Sequence, residues 1–107
     1  MDEKTISEIK AQHGDKLVCL VTPDGTELVF KPPTRAAFDR WFDRREVAPS
    51  ESARELAFSC LVYPTQAELV QCLDRRPALL MGRSGILDQV TALAGLESET
   101  ELQVKKL

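Results

Sequence analysis

The chain has 107 residues, 43% of them apolar and 29% charged, with a net charge of −3 and a pI near 5.2. That length holds one hydrophobic core, and the apolar content is too high for wholesale disorder. The acidic balance argues against a sequence-independent grip on phosphate, and no apolar run approaches the ~18 residues that would span a bilayer.

The first element is a short helix. Thr5 and Glu8 have the spacing of a capping box, Ile6, Ile9 and His13 share a face, and Gly14 supplies a left-handed stop. Such a helix is marginal alone and must dock on something. A hairpin follows, with Lys16 to Thr22 and Leu28 to Phe30 as strands around Pro23-Asp24-Gly25-Thr26. Proline presets φ for a turn and glycine accepts positive φ. Both faces of the first strand are largely apolar, which predicts cover on more than one side; the alternative is a face left open for a partner strand.

Pro32-Pro33 ends the second strand, and Thr34 caps a helix to about Arg45 with Ala37, Phe38, Trp41 and Phe42 as its apolar stripe. Its other face mixes Arg35, Asp39, Arg40, Asp43 and Arg44, a solvated surface of both signs. Ser50 is expected to cap the next helix, which runs to Pro64 and buries Ala53, Leu56, Ala57, Cys60 and Leu61. Thr65 and Glu68 form a second capping box, opening a helix with Leu69, Val70 and Leu73 inward. Pro77 then starts a long helix to about Ala94, carrying Leu79, Ile86, Val90 and Leu93 on one face. Gly82 and Gly85 lie inside it, each costing about 1 kcal/mol relative to alanine, so that helix is kinked or is a packing seam. Gly95 stops it, and residues 95–107 form a polar tail, frayed or a short edge strand around Leu102 and Val104.

Catalytic machinery is not suggested. His13 is the single histidine, and a triad or metal site needs partners around it; a dipole contact at the helix C-terminus is the plainer reading. Met81 to Gly85, MGRSG, lacks the spacing of a P-loop and is no nucleophile elbow. The carboxylate pairs Asp2/Glu3 and Glu97/Glu99/Glu101 lie in polar termini, where no burial shifts a pKa. Cys19, Cys60 and Cys72 form no CxxC pair and no Cys/His cluster, so neither a zinc site nor a disulfide framework follows. Free thiols fit a reducing cytosol, and MDEKTISEIK has no apolar segment of a signal peptide. A cytoplasmic protein with no enzymatic activity, cofactor or metal is expected.

Two binding readings remain. Arg35 to Arg45 mixes aromatics with four arginines, but Asp39, Asp43 and Glu46 largely cancel them, and the aromatic spacing is that of a core. Ser50–Tyr63 and Thr65–Arg76 could form a helix-turn-helix of a small DNA-binding regulator, although Glu68 and Asp74 oppose Arg75 and Arg76. Against this stands a protein-binding surface, because Trp41, Tyr63, Leu79, Leu80 and Met81 are more large apolar residues than a bundle this small easily hides. Methionine recurs on surfaces that accept varied apolar partners. Trp41, Tyr63, Leu80 and Met81 are the candidate partner-binding residues.

FKPPTRAAFDRWFD, from Phe30 to Asp43, followed by CLVYPTQAELVQCLDRRPALLMGRSGILDQV, resembles the tail assembly chaperones of long-tailed bacteriophages. The likeness lies in a strand running into a Pro-Thr-Arg helix start, then a Val-Tyr-Pro turn, an Ala-Glu-Leu helix, an Arg-x-Pro and a closing helix with internal glycine. It extends from about Ile6 to Leu93; Pro32-Pro33 and the arginine-rich RWFDRR depart from it. The resemblance implies a non-enzymatic protein of the host cytoplasm, absent from the mature virion. Its implied partners are the hydrophobic tape measure protein and, secondly, tail-tube subunits, with no nucleic acid and no membrane.

The expected architecture is α+β and mainly α, a single domain over 1–107. A helix plus β-hairpin (1–33) packs on a helical part of about four helices (34–94), followed by the polar tail (95–107).

Overall fold

The computed structural model describes residues 1–95 and 105–106, so the frayed end or edge strand expected around Leu102 and Val104 lies outside the described residues. Helix α1 runs Glu3–His13. Its cap is Asp2, whose carboxylate accepts the Thr5 amide at 2.8 Å, and the Thr5/Glu8 spacing is not used at the helix start. A carboxylate outranks a threonine hydroxyl there because it also meets the positive end of the helix dipole. Gly14, at φ +83°, ends the helix, and no residue of α1 is buried.

Strands β1 (Val18–Val21) and β2 (Glu27–Phe30) form the expected hairpin, with Val18 opposite Phe30 and Leu20 opposite Leu28. At the turn the Gly25 amide donates to the Thr22 carbonyl at 2.9 Å, which puts Pro23 and Asp24 at the two central positions. Gly25 has φ +90°, a conformation that L side chains rarely adopt.

The helix expected to reach Tyr63 stops earlier. Leu61–Tyr63 is a third strand, β3, pairing antiparallel with β2 and giving the sheet order β1-β2-β3. The Lys31 amide extends that ladder to the Cys60 carbonyl at 2.9 Å. Val62 is β-branched, and Tyr63 precedes a proline, which disfavours helical ψ; both features favour strand over helix. The Tyr63–Pro64 bond is cis. Central position leaves Leu28, Val29 and Phe30 all buried. On β1 only Val18 and Leu20 turn partly inward, while Cys19 and Val21 are exposed, so cover on more than one side holds for β2 and not for β1.

Helix α2 (Arg35–Arg44) is capped by Thr34, whose hydroxyl accepts the Ala37 amide at 3.1 Å. Helix α3 (Pro49–Cys60) begins with proline in its first turn and has no side-chain cap, in place of the Ser50 cap the sequence suggests. It is the hub, packing against α2, α5 and α6. Ala53, Leu56, Ala57 and Cys60 are buried as their spacing predicts, and Ser52 joins them. Helix α4 (Gln66–Arg75) uses Thr65 as its cap, with Leu69 and Cys72 as its buried residues. Val70 faces out, contrary to the inward expectation.

The long closing helix is divided into α5 (Ala78–Met81) and α6 (Ile86–Leu93). Gly82 and Gly85 are extended, and Ser84 between them has φ +57°. The Ser84 amide donates to Asp88 Oδ2 at 2.9 Å, which ties the break to the first turn of α6. Ile86 and Val90 then enter the core beside Leu28 and Phe30. The chain is α+β and mainly helical, with the hairpin packed on the helical part through β1 and α6, and α1 lying against the outer face of the sheet.

Candidate functional site

An open, mainly apolar groove lies between α3, α4 and α5. Ser50, Arg54 and Phe58 stand four residues apart along α3, and this spacing stacks them in one row on a helix surface. Val70, Leu73 and Asp74 of α4 face them, and Pro77, Leu80 and Met81 close the groove, which holds about 570 Å³. Phe58 and Leu73 are half-buried, packed against the core, while Val70 and Met81 are 43% and 46% exposed. Arg54 and Asp74 place opposite charges on an otherwise apolar surface.

Two of the four residues expected to bind a partner meet here. Met81, the last residue of α5, is open to solvent, and Leu80 is 7% exposed, reaching both the groove and the core. Trp41 is elsewhere. It is 8% exposed, belongs to the core, and meets Phe38 edge-on at 5.4 Å between ring centroids. It borders a narrow crevice between α2 and α3, with Leu56 and Ser52. Tyr63 is half-buried in β3 and does not line the groove. Phe58 and Pro77 were not among the expected binding residues, and periodicity had placed Val70 inward. The signal for Val70 was its neighbour: with Leu69 and Cys72 inward at i and i+3, position 70 turns roughly 100° away.

A second cleft of about 290 Å³ separates α1 from the outer sheet face, lined by Ile6, Ile9, Leu17 and Val29. Lys10, Asp15 and Glu27 also border it, so it is more charged than the α3–α5 groove.

The polar groups make local contacts. Arg44 pairs with Glu51 at 3.4 Å and Glu55 at 3.6 Å, joining α2 to α3, and Arg35 lies 3.7 Å from Asp39. The Arg45 guanidinium sits 3.5 Å over the Phe42 ring, a cation–π contact on the α2 surface. Burial pushes the Cys60 thiol above its ordinary pKa. Burial and the Glu27 carboxylate do the same for Cys19, so neither thiolate is favoured. His13 is exposed at the end of α1. Among the described residues no group of three His, Cys, Asp or Glu could hold a metal ion, and no helix is long and apolar enough to cross a membrane. The helices weighed as a helix-turn-helix are separated by Leu61 to Thr65, which include a strand of the sheet rather than a tight turn.

The fold is similar to that of a solved structure, uncharacterised protein rbstp2171 from Bacillus stearothermophilus. The TM-score is 0.76 at 20% identity, covering 92% of this chain and 99% of that one. No curated protein matches the chain. Residues 9–103 match the family described as Domain of unknown function (DUF6848), and the chain belongs to that family.

Proposed function

We propose that the chain is a non-enzymatic assembly chaperone for the tail of a phage or prophage. In this reading it works in the cytoplasm of the bacterial host and holds an amphipathic helix of the tape measure protein in the α3–α4–α5 groove. The observation that carries the proposal is the open apolar groove of about 570 Å³ with Val70 and Met81 on its surface. An amphipathic helix docks in such a groove through anchors at i, i+3, i+4 and i+7. Methionine suits the task because its unbranched thioether adapts to different apolar neighbours along a long partner. The likeness of Phe30 to Asp43 and of Cys60 to Val90 to tail assembly chaperones supplies the identity of the partner. Recruitment of tail-tube subunits is its second element, with no surface assigned to it.

The test is co-expression with the tape measure protein encoded beside the gene. The double variant Val70→Asp/Met81→Asp should lose co-purification with little change in thermal unfolding, because both side chains are already exposed. Leu80 is unsuitable for this purpose, since a charge at a position 7% exposed would unfold the core. Capture that survives the double substitution would remove the groove from the mechanism. A gene with no long tape measure frame beside it would remove the partner.

A further inference from the structure

The charged groups of the α3–α4–α5 groove say more about its occupant than its apolar lining does. Arg54 and Asp74 stand on two of its walls, α3 and α4, and both are exposed. The other charged side chains of α3, Glu51 and Glu55, are both taken by Arg44, and on α4 Arg75 is taken by Asp24. Among the described residues neither Arg54 nor Asp74 makes an ion pair, with each other or with any other group. Asp74 also lies in the last turn of α4, where the negative end of the helix dipole disfavours a carboxylate. The fold therefore gains no ion pair from either group.

We infer, on the reading that this groove docks a helix, that its occupant carries an acidic residue on one flank of its apolar stripe and a basic residue on the other. The row Ser50, Arg54 and Phe58 spans about 12 Å along α3, a little over two turns, which accommodates an i to i+7 stripe. A helix seated there lies between Arg54 and Asp74 and takes both partly out of water. A wholly apolar partner would leave the two charges unpaired at the covered rim, at a cost in affinity. An acid against Arg54 and a base against Asp74 offset that loss. A polyanion would gain at Arg54 and be repelled at Asp74, and a uniformly basic helix would meet the reverse.

Fluorescence anisotropy on the full chain, with three labelled synthetic helices of about 18 residues, tests this. All three carry Leu and Met at i, i+3, i+4 and i+7, and their flanks are Glu/Lys, Glu/Glu or Lys/Lys. Exchanging Glu and Lys is no control, because that helix can lie the other way round. Wild type should bind the Glu/Lys helix ~5-fold or more tightly than the other two, although the net charge of −3 alone would favour Lys/Lys. Arg54→Glu should move the preference to Lys/Lys and Asp74→Lys to Glu/Glu, with melts near wild type because both positions are exposed. Equal binding of the three helices, or an order that neither variant changes, overturns the charge pairing; if Val70→Asp/Met81→Asp still abolishes binding, the groove itself stands. Binding of none of the three, or binding that survives Val70→Asp/Met81→Asp, removes the groove and the charge pairing with it.

Discussion

Arg75 Nη2 lies 3.1 Å from Asp24 Oδ2, joining the last turn of α4 to the β1–β2 turn. The same carboxylate accepts hydrogen bonds from the Thr22 hydroxyl and from the Thr26 hydroxyl at 3.1 Å. Thr22 first, then Thr26 and the charge of Arg75, hold the Asp24 pKa at about 2 against an ordinary 3.8.

The sign of the resulting pH dependence follows directly. A carboxyl more acidic in the folded than in the unfolded chain stabilises the fold above its unfolded pKa, and that contribution disappears as pH falls through the folded value. The window runs from the ordinary 3.8 down to about 2. Asp24→Asn should therefore melt below wild type at neutral pH, and the gap should close across that window. A gap of constant size down to acid pH would show that the turn network does not depend on the Asp24 charge.

Trp41 and Met81 give a contrast in stability. Trp41 is 8% exposed and packed in the core, so Trp41→Ala should cost ~3–5 kcal/mol in urea unfolding. Met81 is 46% exposed, and Met81→Ala should stay within about 0.5 kcal/mol of wild type. Equal losses at the two positions would mean that Met81 is core and the groove has no open wall.

Much of this architecture was readable where one local signal had no competitor. Thr34 and Thr65 cap the helices their spacing predicts, and the Pro23–Thr26 turn closes the hairpin. Failures came where two signals competed. Ala53 to Leu61 continues a helical stripe, yet Leu61 to Tyr63 gain more by pairing with β2, a long-range contact that no local window contains. At the groove, Leu80 and Met81 are adjacent in sequence and differ only in which way the single turn of α5 presents them. Trp41 was misplaced for a related reason, since the surplus of large apolar residues is a property of the whole chain and does not say which one is left out. The Arg75–Asp24 pair joins segments far apart in sequence, beyond any spacing rule.

The three cysteines should separate by reactivity. Cys19 is exposed, whereas Cys60 and Cys72 are buried. Alkylation of the native protein should label one thiol, with all three labelled in denaturant. The native reaction should also be slow at neutral pH, because burial and Glu27 raise the Cys19 pKa and leave less thiolate. Rapid labelling of a second thiol in the native state would mean that the α3–α4 core opens readily.

Gly85 distinguishes two accounts of the closing segment by sign alone. In a continuous helix, Gly85→Ala should stabilise by ~1 kcal/mol, the propensity difference between the two residues. In the observed break, a Cβ at Gly85 would lie 2.6 Å from the Leu79 carbonyl oxygen and 2.8 Å from that of Gly82. Both neighbours are backbone, so a rotamer change cannot relieve the contact, and the substitution should instead cost ~1–3 kcal/mol. Gly82→Ala should behave alike, its Cβ falling 2.5 Å from the Ala78 carbonyl oxygen. Each kcal/mol lowers the melting temperature of a domain this size by roughly 4–8 °C, so a thermal scan suffices. A rise in melting temperature would join α5 to α6. It would also move Met81 from the end of a helix into its middle and redraw the wall of the groove that it forms.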